Sequence, residues 1–173
     1  MSISPRFAYV LTLLVAAVLC RWLPHPPNFA PVLAIALFGG AAFKNGWEAY
    51  LLPLGIMFLS DLIIGLHGMM PLIYALMVGF VLVGRWIGQK RSLGRIAGGA
   101  IGSSVVFFMV TNFAVWIASP LYPLNGAGLA ACYAAAIPFF QNTLVSTVLF
   151  SAVLFGSLEL GERKLPLLRP ATA

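Results

Sequence analysis

The sequence contains a single aspartate, Asp61, and it lies inside the apolar run Trp47–Leu66. A carboxylate at the centre of a membrane helix costs about 2.5–3.5 kcal/mol, and less toward the interface. It therefore needs a cation or water beside it. Arg21, at the end of the apolar run Phe7–Leu23, is the obvious partner. Two readings follow. The pair fixes helix register, or it is the polar anchor of a ligand cavity. A proton relay is the weakest reading, because no second membrane acid is placed to pass protons on. Asn112, Gln141 and Asn142 also sit in or beside apolar runs. They either bond helix to helix or line a cavity together with Phe113, Trp116, Phe139 and Phe140. Apolar walls carrying a few placed amides are the usual make-up of a small-molecule site.

Other chemistries find less support. His25, His67, Cys20 and Cys132 are expected on the same side, but no two of them have the tight spacing of metal ligands, so no metal site is expected. The cysteines read as small packing residues, with an outer-side disulfide left open. There is no H-E-x-x-H, no G-x-S-x-G and no nucleophile–base pair, so no enzyme is expected. Gly84 to Lys90 lacks the Gly-Lys-Ser/Thr that would hold a nucleotide, so no ATP site or other cofactor is expected.

The elements that must position these residues follow from composition. Of 173 residues, 61% are hydrophobic and 8% charged, against about 25% charged in soluble domains. The class is a polytopic membrane protein, all-α, in one domain. The net charge of +6 is scattered between apolar segments, as orientation signals are, and does not suggest nucleic acid. A span needs roughly 20 residues. Six are expected, at about 7–23, 31–43, 47–66, 69–88, 96–119 and 139–158, with the second one short. Pro138 is expected to divide the last apolar region, leaving 128–137 as an interfacial half-helix. Arg6 before an apolar run resembles a secretory signal, but no small-x-small cleavage site follows, and the run reads as an uncleaved span.

Six spans place Arg6, Lys44, Arg85, Lys90, Arg91, Arg95, Arg163, Lys164 and Arg169 on one side and Arg21 alone on the other. By the positive-inside rule both termini are cytoplasmic. If the short second span failed to cross, the cations would be split between the two sides. The outer loop Arg21–Pro31 has four prolines between Pro24 and Pro31, so it is stiff and partly extended. Small residues set close helix approach in membranes. Gly94, Gly98 and Gly102 are expected to pack inside the bundle, and Gly39-Gly40 to permit a tight crossing or a kink. The stripe Ala8, Thr12, Ala16 and Cys20 either packs internally or docks another membrane protein.

The run Leu23-Pro24-His25-Pro26-Pro27-Asn28-Phe29-Ala30-Pro31 followed by Ala36-Leu37-Phe38-Gly39-Gly40 resembles a family of uncharacterised bacterial inner-membrane proteins. So do Ser60-Asp61, Thr111-Asn112-Phe113, Tyr122-Pro123 and Pro138-Phe139-Phe140, in that order. That family is similar to the substrate-binding S components of energy-coupling-factor (ECF) transporters. The resemblance implies a compact six-helix S-component-like bundle in the bacterial inner membrane, with both termini inside and an outward-facing vitamin pocket roofed by loops. It also implies a small-residue stripe, here Ala8, Thr12 and Ala16, that docks a coupling subunit with its ATPases; Thr12 departs from the alanines of that pattern.

The expected function is capture of a small organic solute, a vitamin or its precursor, from the outer side. The loop Pro24–Pro31 would gate the pocket. His25, Asn28, Phe29, Asp61, Asn112, Trp116, Tyr122, Phe140 and Asn142 are the candidate ligand-binding residues. The partners would be the solute, membrane lipid and an energising module. The alternative is a non-transporting accessory subunit of an inner-membrane complex. A membrane enzyme acting on a lipid or quinone ranks third.

Overall fold

The computed structural model describes residues 4–43 and 45–169. Lys44, counted above among the orienting cations, lies outside the described residues. Six α-helices follow one another: α1 (Pro5–Leu19), α2 (Val32–Ala42), α3 (Gly46–Ile64), α4 (Met70–Gln89), α5 (Leu93–Ala118) and α6 (Gly126–Lys164). Single 3-10 turns follow α1 and α6, and there is no strand among the described residues. All but α2 are long and apolar enough to cross a membrane.

Local chemistry sets the helix starts. The Ser4 hydroxyl accepts from the Phe7 amide at 3.2 Å and Pro5 opens α1; Ser92 caps α5 and Asn125 caps α6 in the same manner. Gly65 ends α3 with φ +120°, a conformation that only glycine adopts without strain, and this leaves Asp61 in the last turn.

Two sets of polar contacts mark the two ends of the bundle. At one end Arg6 donates to the Ala42 carbonyl at 2.7 Å and pairs with Glu162, which also takes Arg91. At the other, Arg21 pairs with Asp61, Asn142 donates to the Pro27 carbonyl at 2.9 Å, and Ser146 donates to that of Ala30. Successive helices therefore alternate in direction. Arg6 and Arg169, near the two ends of the described chain, lie at the same end, where Arg169 donates to the Glu162 carbonyl.

Helix α2 is the structural centre. Its eleven residues span about 16 Å, roughly half a hydrocarbon core. Nine of them are buried, so protein rather than lipid surrounds it. It crosses α4 at backbone contact. A Cβ on Gly40 would collide with the Val81 carbonyl, one on Gly84 with that of Leu37, and one on Gly88 would sit 2.8 Å from that of Ala41. Across the bundle the ring of Pro53, inside α3, fills the space beside Gly39. The expected tight crossing at Gly39-Gly40 is thus present.

Two expectations need correction. Helix α6 runs unbroken through Pro138 for 39 residues, in place of a half-helix and a separate span. A proline removes one N–H and disturbs one carbonyl contact, and the turns on either side still propagate. Gly94, Gly98 and Gly102 do not pack inside the bundle. All three are exposed, and a Cβ on any of them would meet nothing within 4 Å. The buried side of α5 carries Gly99, Ala100, Ser103 and Ser104 instead. Ala8, Thr12 and Ala16 likewise lie on the exposed side of α1, so the internal-packing alternative for that stripe does not hold.

Candidate functional site

At the Arg21 end, the first turn of α2 stops short of the bundle surface and leaves a cavity of about 140 Å³. Non-helical backbone at membrane depth is tolerated where it is enclosed by protein or lines a cavity, and here Asn28 and Ala30 do so, beside Val32 and Leu33 at the start of α2. The first turn of α2 has no side-chain cap. A first turn without a cap leaves N–H groups that have no acceptor within the helix.

The polar side of the cavity is a three-residue network. Arg21 Nη2 donates to Asp61 Oδ1 at 2.6 Å, and the Tyr74 hydroxyl donates to Asp61 Oδ2 at 2.7 Å. Each element contributes by its geometry. The 3-10 turn after α1 swings Arg21 inward, the last turn of α3 holds Asp61, and Tyr74 lies just over one turn into α4. The Asp61 side chain is 6% exposed and that of Arg21 12%. Low exposure makes this pair expensive to break and leaves any spare hydrogen-bonding capacity available to a ligand. Spare capacity exists. Arg21 Nη1 and the neighbouring Ser60 hydroxyl are buried with no hydrogen-bond partner.

The remaining wall is apolar, formed by Met57, Met70, Ile73 and Phe107, with Thr143 opposite. Asn28 and His67 stand at the mouth; both are exposed. Asn28 has φ +62°, a left-handed conformation that asparagine tolerates better than most residues. Its loop is held from α6, where Asn142 donates to the carbonyl of Pro27.

Of the residues expected to bind ligand, the structure brings only Asn28 and Asp61 to this cavity. The others have different occupations. His25 Nδ1 contacts the Pro26 carbonyl within its own loop, and Phe29 packs on Phe150. Asn112 donates to the Phe108 carbonyl one turn back on α5, which satisfies its amide locally. Trp116 donates to the Pro123 carbonyl, Phe140 packs on Phe108, and Tyr122 is half-buried in the connection between α5 and α6. These belong to a two-helix extension of α5 and α6, closed further by Tyr133 donating to the Met109 carbonyl. Asn142 supports the loop without lining the cavity.

Tyr74 is the functional residue that sequence reasoning passes over. The available signal is a phenol near the start of an otherwise apolar span, at the level of Asp61. Cys20 and Cys132 are free thiols, each within reach of a backbone carbonyl. Among the described residues no three His, Cys, Asp or Glu side chains gather as a metal site would require.

Comparison with known proteins places the chain by sequence. Residues 1–168 match the model of a family described as a family of unknown function (DUF6580), and the chain belongs to that family. Neither a curated protein nor a solved structure matches it.

Proposed function

We propose that the protein is an S-component-like membrane protein of the bacterial inner membrane that captures a small organic solute from the outer side. The observation that carries this reading is the cavity in front of α2, with the buried Arg21–Asp61–Tyr74 network on one side and apolar residues on the other. That combination of apolar walls with a few oriented polar groups suits an organic solute. The cavity volume narrows the ligand class. At about 140 Å³ it lies below the roughly 300–1,000 Å³ of drug-sized pockets. A vitamin precursor or single heterocycle fits this reading better than an assembled cofactor.

The orientation follows from the cations. Arg6, Arg85, Arg91 and Arg95 belong to the same end of the bundle as Glu162, and the positive-inside rule makes that end cytoplasmic. The Arg21 cavity then faces outward. With no nucleotide-binding motif in the chain, uptake would draw its energy from partner subunits docked on the exposed Ala8, Thr12 and Ala16 face. A second reading, an accessory subunit of an inner-membrane complex, is favoured by the exposed small-residue faces of α1 and α5.

The test is native mass spectrometry of protein purified in mild detergent. A stoichiometric organic adduct is expected, lost in Asp61→Ala and retained in Asn112→Ala, whose amide is occupied elsewhere. A clean mass through a screen of vitamins and their precursors would sink the solute reading in favour of the accessory subunit.

A further inference from the structure

The C-terminal end of α2 opens onto a second cavity, of about 280 Å³, at the opposite end of the bundle. Gly40, Ala41, Ala42 and Phe43 form one wall, and the last turns of α4 form another. Three guanidinium groups, Arg6, Arg85 and Arg91, line it. The nearby carboxylate is that of Glu162, shared by Arg6 and Arg91. Among the described residues, three cations against one carboxylate leave an excess charge of about +2 around a half-open pocket.

The hydrogen-bonding inventory points the same way. Arg6 Nε and Arg91 Nη1 are buried and have no partner. Arg85 is half-buried and, among the described residues, makes no ion pair or side-chain hydrogen bond. Its position is held from below, because its backbone lies against Gly40 at the α2–α4 crossing. Unpaired guanidinium donors in a partly desolvated pocket are costly unless an acceptor fills it. The acceptor that matches several guanidinium forks is a tetrahedral oxyanion, above all a phosphate.

We propose that this pocket binds a phosphate group, with Arg85 as its principal ligand and the guanidinium groups of Arg6 and Arg91 completing the site. A phosphate at this depth has two sources, the headgroup of an anionic phospholipid or a soluble phosphate. Basic pockets between membrane helices on the cytoplasmic side suit anionic headgroups. The inference is independent of the outer cavity and stands whether or not that cavity holds a solute.

The experiment measures binding to the purified full chain in neutral detergent by native mass spectrometry and thermal unfolding. The probes are phosphatidylglycerol, phosphatidylcholine and inorganic phosphate. Phosphatidylglycerol is expected to bind at least tenfold better than phosphatidylcholine, and Arg85→Gln to remove most of that preference. Arg85 holds no other element in place, so the variant should fold. Stabilisation by inorganic phosphate that Arg85→Gln abolishes would identify a soluble phosphate as sufficient. Equal binding of the two lipids with no response to inorganic phosphate overturns the proposal. So does an undiminished preference for phosphatidylglycerol in a folded Arg85→Gln protein.

Discussion

The two ends of α2 meet two different electrostatic environments. At its N-terminal end one arginine faces one aspartate, and a tyrosine occupies the second carboxylate oxygen. At its C-terminal end one glutamate is divided between two arginines, and a third arginine has no carboxylate. The first site is neutral, with both carboxylate oxygens occupied. The second is left short of negative charge. Both follow from one feature, a buried helix too short to reach either surface. Its uncapped first turn borders the first cavity, while at the other end Arg6 covers the Ala42 carbonyl, as a cation at a helix C-terminus should. A short, glycine-bearing apolar segment is therefore the organising element, because both cavities exist where it stops.

The largest way to break this comparison is to remove Asp61. Asp61→Ala leaves the Arg21 guanidinium buried without its counter-ion, and such a loss costs about 3–5 kcal/mol. Reversible unfolding in mixed micelles should show it. The double variant Arg21→Met/Asp61→Leu should recover stability to within about 1 kcal/mol of the native chain, since apolar replacement of a buried pair is often neutral. It should still lose the solute adduct. Recovery of stability together with retention of the adduct would show that the pair serves register alone.

Tyr74→Phe is the next in size. It removes one hydrogen bond to a buried carboxylate and leaves the ring in place. A hydrogen bond to a charged group contributes about 1.5–3 kcal/mol. A loss in that range, with no change at the Arg85 end, is expected in the same unfolding measurement. A loss below about 0.5 kcal/mol would mean that water replaces the phenol, and that the Arg21 end is less closed than its burial suggests.

Much of this architecture is legible in the sequence, and the places where it is not have physical reasons. Helices α1, α3, α4 and α5 announce themselves because each is a long, predominantly apolar run. The Arg21–Asp61 pair is legible because a lone acid inside such a run must find a cation. Tyr74 is not, since a tyrosine in a membrane span reads equally as packing, and only the neighbouring helix reveals the carboxylate. Asn112 misleads for the opposite reason. Its polarity suggests a cavity, but in a helix an amide can satisfy itself on the carbonyl four residues back. Four-residue glycine spacing identifies a flat face without saying which way it points. Gly84 and Gly88 meet α2, whereas Gly94, Gly98 and Gly102 face outward. The break expected at Pro138 fails because α5 and α6 pack on each other along that region, where Phe108 touches both Tyr133 and Phe140. Neighbouring contacts hold a helix together across one missing hydrogen bond.

The smallest expected effect sharpens the comparison most. Glu162→Gln keeps the shape of the side chain but removes its charge, and its single amide oxygen can accept from only one of Arg6 and Arg91, which now bond to different carboxylate oxygens. The side chains of Arg6 and Arg91 are 17% and 25% exposed, against 12% for Arg21, so water softens the loss. The cost should be about 1–2 kcal/mol, since one arginine loses its acceptor and the other keeps a neutral one, both in partly solvated positions. The same change raises the excess charge of the pocket by one unit, so its affinity for phosphatidylglycerol should rise severalfold. At the other end, neutralising the acid by Asp61→Asn should lose more stability and gain no affinity for phosphate, because a single guanidinium with its Tyr74 neighbour does not make an oxyanion site. Stability and anion affinity thus move in opposite directions at Glu162, whereas at Asp61 stability falls and anion affinity stays unchanged. A fall in phosphatidylglycerol binding on Glu162→Gln would instead mean that the carboxylate is needed to hold the arginines in place, and that the pocket's positive charge is a by-product of packing.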